Sequence, residues 1–163
     1  MSLPKGPAQS ILPFLTGFMS QWSRSDFTLD GESFVCAEQY MMWRKALLFG
    51  DTEMAKKIEI ARDPRDHKRI GQAVRNFEQQ LWDANKVEIV TAGTRAKFGQ
   101  NAGIARKLVA TGSATLDEAN PKDFIWGVGL SEDDPDIQDP AKWRGQNLLG
   151  QILMQVRAEL RAG

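Results

Sequence analysis

Phe27-Thr-Leu-Asp-Gly-Glu-Ser-Phe-Val35, followed after Cys36 by Ala37-Glu-Gln-Tyr-Met-Met-Trp-Arg-Lys-Ala-Leu-Leu-Phe49, passes directly from strand alternation into a helix. Asp30-Gly31 is the short turn signal of a β-hairpin, because both residue types tolerate the left-handed backbone that such a turn requires. From Ala37 the apolar residues fall on nearly every side, as in a helix at the centre of a core. A hairpin leading into a central helix predicts an α+β fold.

Working outward from this stretch, Gly50 closes the first helix and Asp51 caps a second that runs through Ile60. Asp63 followed by Pro64 starts a third. Asn76-Phe-Glu-Gln79 reads as a capping box opening a long helix through Trp82, Ile89 and Val90, and a shorter helix spans Ile104 to Thr111. Thr115 to Ala119 alternates like a strand, with Phe124 to Leu130 able to pair beside it. Ser131 to Pro140 is an acidic surface loop, and Asn147 to Arg161 is an amphipathic helix with Leu149, Ile152, Leu153, Val156 and Leu160 on one face. The expected architecture is helix-rich α+β with a small β-sheet. Residues 1–10 read as a flexible segment ahead of a single domain over 11–163.

Composition narrows the function classes. The chain has 163 residues, 21 basic against 21 acidic, and a formal net charge of zero, so it lacks the basic excess typical of nucleic-acid and membrane-surface binders. It contains no apolar run long enough for a membrane span. One cysteine, Cys36, and one histidine, His67, leave no disulfide, zinc-finger or Ser-His-Asp arrangement. Cys36 reads as a small buried side chain, His67 as part of a solvated charged face, and the cysteine count suits a reducing cytoplasm.

Two regions carry chemistry. Glu38 shares a helix face with Met41 or Met42, Lys45 and Phe49, and at 1.5 Å per residue Glu38 and Lys45 lie about 10 Å apart along the axis. That spacing suits two side chains reaching one small anionic ligand, although Glu38 could equally complement the helix dipole while Lys45 reaches water. Between Glu118 and Gly150, two tryptophans, several glycines and Asp, Glu, Arg and Asn are concentrated. Tryptophan offers a flat stacking face, and glycine permits close backbone approach. Trp126 and Trp143 could also be core anchors, Asp123 a turn former and Asn147 a helix cap.

Taken in order, Phe14-Leu-Thr-Gly-Phe18, Ala37-Glu-Gln-Tyr40 with Lys45-Ala46, Lys97-Phe-Gly-Gln-Asn101, Asp123-Phe-Ile-Trp126-Gly127-Val-Gly129 and Trp143-Arg144-Gly-Gln-Asn147-Leu-Leu-Gly150 resemble the YbiA-like, or NADAR, superfamily over nearly the whole chain. The resemblance implies N-glycosidase activity without a metal or organic cofactor. For the bacterial branch it implies a phosphorylated ribosylaminopyrimidine of riboflavin biosynthesis as small-molecule substrate. Other branches act on ADP-ribose linked to guanine, and a non-catalytic ADP-ribose or nucleotide-binding module is a further alternative. Many relatives carry Ser-Asn in a Phe-Leu-Ser-Asn-Phe string, where Thr16-Gly17 stands here.

C–N cleavage passes through an oxocarbenium-like state that a carboxylate can stabilise. Glu38 is the first candidate, with Asp123 orienting the sugar or base and Trp126 stacking on the base. Lys45, Glu118, Gly127, Trp143, Arg144 and Asn147 are the expected substrate-binding set. Glu118 is the rival acid, and Trp143, Arg144 and Asn147 lie where a helix N-terminus favours phosphate.

Overall fold

The computed structural model describes residues 10–163, so the expected flexible segment falls almost wholly outside the described residues. The elements are β1 (Ile11–Phe14), β2 (Phe27–Leu29), β3 (Glu32–Phe34), α1 (Ala37–Leu48), α2 (Thr52–Ile60), α3 (Pro64–Gln72), α4 (Gln79–Gly99), α5 (Ala102–Ala110), β4 (Thr115–Glu118) and α6 (Leu148–Ala162). Two short 3-10 helices, Pro135–Gln138 within the acidic loop and Pro140–Lys142 at its end, follow β4.

The hairpin forms where its turn chemistry places it. Asp30 and Gly31 have φ of 53° and 81°, and Phe27 faces Phe34 across β2 and β3. These rings meet Tyr40 and Trp43 of α1 in one aromatic cluster. The buried α1 packs against α2, α3 and α4. Asp51 caps α2 by accepting from the Met54 N–H, and Asp63 caps α3 with Pro64 in its first turn. On α6, Leu149, Ile152, Leu153 and Val156 are buried as the periodicity predicts.

Four details depart from the sequence reading. Asn76 adopts a left-handed φ of 63°, so α4 begins at Gln79, after the supposed capping box. Among the described residues the β content is two separate two-stranded ribbons rather than one sheet: the β2–β3 hairpin and a parallel pair of β1 with β4. Phe124 to Leu130 forms no strand, because its carbonyls receive the chain entering α6: Gln146, Asn147, Leu148 and Leu149 donate to Phe124, Gly127, Ile125 and Trp126. His67 is fully buried, with Nε2 2.7 Å from the Ala61 carbonyl and Nδ1 3.6 Å from the Cys36 sulfur. Its partners lie outside its own helix, where a reading of α3 alone does not reach. Among the described residues no helix is long and apolar enough to cross a membrane.

Candidate active site

A cavity of about 600 Å³ opens between the start of α1 and the end of β4, within the size range of small-molecule sites. Its wall includes Glu38, Glu118, Asp123, Trp126 and Thr16, and also Ser20, Gln21, Trp22, Ser23, Lys68 and Asn120. Another depression, of about 530 Å³ beside α5, is lined by no carboxylate or aromatic ring.

Glu38 lies in the first turn of α1 and is only 5% exposed. Burial pushes its carboxyl up to about 7, and the field of Glu118 adds to this. The Lys68 cation pulls in the opposite direction. Glu118, at the last position of β4, is also pushed up to about 7 by burial and by Asp123. Its Oε2 is buried without a hydrogen-bond partner among the described residues. Two carboxyls in one cavity, each within the other's field, do not both ionise freely.

Asp123 reaches the cavity and also shapes it. Its Oδ1 accepts from the Ile125 and Trp126 N–H groups at 2.9 and 2.8 Å, fixing the turn that presents Trp126. The structure therefore brings together Glu38, Glu118, Asp123 and Trp126.

The remaining expected residues lie elsewhere. Lys45 donates to the Gly71 carbonyl at 2.9 Å, with its ammonium over the Phe77 and Trp82 rings, outside the cavity wall. Trp143 donates from its indole to the Ile137 carbonyl and packs on a second cluster of Ala119, Val128, Leu130 and Ile137. Arg144 is exposed, and its backbone N–H bonds the Val128 carbonyl. At Gly127 a Cβ would press on the Glu118 and Asp123 carbonyls, so the missing side chain lets two chain segments approach each other. Asn147, in a left-handed conformation, accepts from the Glu118 N–H at 3.1 Å and donates to the Leu116 carbonyl at 3.0 Å. It positions the strand end that carries Glu118.

Ser20, Gln21, Trp22, Ser23 and Lys68 were missed. A signal was present: Phe18-Met19-Ser20-Gln21-Trp22 repeats the aromatic, apolar, serine, amide, aromatic order of the Ser-Asn string four residues after Phe14. Ser20 and Gln21 both line the cavity. Lys68 had no such signal, because α3 supplies it from a charged run that looks uniformly solvated. Among the described residues no cluster of three His, Cys, Asp or Glu side chains is placed to hold a metal ion.

The protein resembles characterised chains over most of its length. It is 46% identical over 145 residues to an N-glycosidase of Acanthamoeba polyphaga mimivirus, covering 86% of this chain and 85% of the relative. It is 31% identical over 144 residues to a riboflavin biosynthesis protein of Vibrio vulnificus, covering 88% of this chain but 35% of that longer protein. The NMR structure of the Escherichia coli protein YbiA matches with a TM-score of 0.78 at 26% identity, over 94% of this chain and 86% of that one. With the NADAR domain model matching residues 14–161, the chain belongs to the NADAR family.

Proposed function

We propose that this NADAR chain is a hydrolase of N-glycosyl bonds and that Glu38 and Glu118 divide the chemistry between them. The observation that carries this reading is the pairing itself: a buried carboxyl, Glu38, and a partly buried one, Glu118, come from distant parts of the chain to share one cavity, and both are raised to about 7.

Their surroundings assign the roles. Burial and the Asp123 field raise both carboxyls, but at Glu38 the Lys68 cation opposes them, which favours ionised Glu38 and leaves the proton on Glu118. Protonated Glu118 delivers its proton to the nitrogen of the leaving base as the C–N bond breaks and the bonding electrons depart with the base. Ionised Glu38 stabilises the positive charge on the sugar and takes a proton from the attacking water, whose hydroxide joins the anomeric carbon. Opposite protonation states in one pair are what general acid and base work require.

The substrate we infer is a phosphorylated ribosylaminopyrimidine. The relationship to a riboflavin biosynthesis protein supports a pyrimidine. Among the described residues Lys68 is the one Lys or Arg in the cavity wall, which suits one phosphate better than the diphosphate of ADP-ribose. The test is to incubate the protein with such a compound and measure released ribose 5-phosphate, with ADP-ribosylated guanine in parallel. Glu38→Gln should lower the rate by roughly 10²-fold or more. Equal rates for wild type and Glu38→Gln would remove Glu38 from the mechanism.

A further inference from the structure

The wall segment Ser20–Ser23 contributes four residues to the cavity and is held from behind by α4. Lys97, only 2% exposed, donates to the Ser20 carbonyl at 2.9 Å and to the Ser23 hydroxyl at 3.3 Å. The Gln21 carbonyl accepts from the Glu38 N–H at 3.0 Å, which ties the segment to the start of α1. Further along, Gln100 bonds both the N–H and the carbonyl of Thr28, and Asn101 bonds the Asp26 carbonyl. The run from Lys97 to Asn101 thus staples the cavity wall in place.

On this anchored segment stands Trp22, 41% exposed, with Leu15, 45% exposed, beside it on the same cavity. Trp126, the other indole of the cavity, gives part of its surface to the main core. Trp22 is absent from that packing and keeps a free face. A large ring held half in water by a rigid segment, at the mouth of an acidic cavity, is stacking surface prepared for a flat partner, because little ordering remains to be done on binding.

We propose that Trp22 is the platform on which the flat leaving base of the substrate stacks. This rests on reading the cavity as an N-glycosidase site. Trp22 and Glu38 line the same cavity, so a base on the Trp22 ring lies in the cavity that holds the reacting carboxylate.

The test uses 5,6-diaminouracil, a free aminopyrimidine with no sugar and no scissile bond, titrated into the full chain by calorimetry. Because Trp22 is exposed, its replacement leaves the core intact. Trp22→Ala should weaken binding about ten-fold or more, the scale of base–aromatic stacking, while Trp22→Phe, which keeps a ring, should retain most of the affinity. Wild type and Trp22→Ala binding the base equally, wild type not binding it, or Trp22→Phe being as weak as Trp22→Ala would each overturn the proposal. Trp22-dependent binding without hydrolysis of any glycoside would instead overturn the hydrolase reading alone.

Discussion

Glu38 and Glu118 begin with the same chemistry and are separated by their neighbours. Both are raised to about 7, and the field of Glu118 contributes to the rise at Glu38, so the apparent values belong to the pair. As pH falls through about 7, Glu38 gains a proton and can no longer accept one from water. As pH rises through the same region, Glu118 loses the proton that the leaving base needs. Activity should therefore follow a narrow bell centred near neutrality. Lys68 is the handle on one side of that bell, because its cation is the first influence opposing burial at Glu38. Lys68→Met should move the acidic limb to higher pH and also raise KM, because the same ammonium is the proposed phosphate contact. An unchanged acidic limb in the pH profile of kcat/KM would show that Lys68 does not govern Glu38.

At the scale of elements, the joint between β4 and α6 fixes the rival carboxyl. Asn147 sits at a φ of 54° and bonds both the Leu116 carbonyl and the Glu118 N–H. At Gly150 any Cβ would strike the Leu116 carbonyl, so α6 lies directly against the strand. Asn147→Ala leaves two buried backbone groups unpaired and puts a Cβ-bearing residue with no compensating polar group in the left-handed region. The expected cost is about 2–4 kcal/mol. Asn147→Gly removes the backbone strain but not the lost bonds, so it should be less damaging by about 1 kcal/mol. Urea unfolding of the two variants checks this, and an Asn147→Ala protein as stable as wild type would refute the clamp. Local rules made many of these elements legible: Asp30-Gly31 required its turn, Asp51 and Asp63 their caps, and the α6 stripe its burial. What stayed illegible depended on distant partners. Nothing in Ile11–Phe14 announces a parallel strand, because β4 lies about a hundred residues away. Phe124–Leu130 looks like a strand until the entry to α6 takes its carbonyls.

Across the whole molecule, the cavity is assembled from Ser20–Ser23, α1, α3, the end of β4 and the turn around Trp126. Half of the site was readable, since Glu38, Glu118, Asp123 and Trp126 announce polar or aromatic chemistry in short compact stretches. Lys45 misled because helical spacing gives a shared face but not what covers it, and here Phe77, Trp82 and the Gly71 carbonyl cover it. Burying carboxyls opposes folding, and this gives the site a signature in stability. Glu38 has an ordinary value of 4.5 that folding raises to about 7. Below about 4.5 the carboxyl is protonated in both states and the effect is absent. Between about 4.5 and about 7 the unfolded chain releases the proton while the folded chain retains it, so stability falls as pH rises, and above about 7 the loss is complete. Glu38→Gln has no such titration. Its stability relative to wild type should therefore climb through that window and level off at an advantage of about 1–3 kcal/mol, in the same variant that loses hydrolysis. Urea unfolding at the two ends of the window measures the difference, and a gap independent of pH would mean that Glu38 titrates normally in the folded protein.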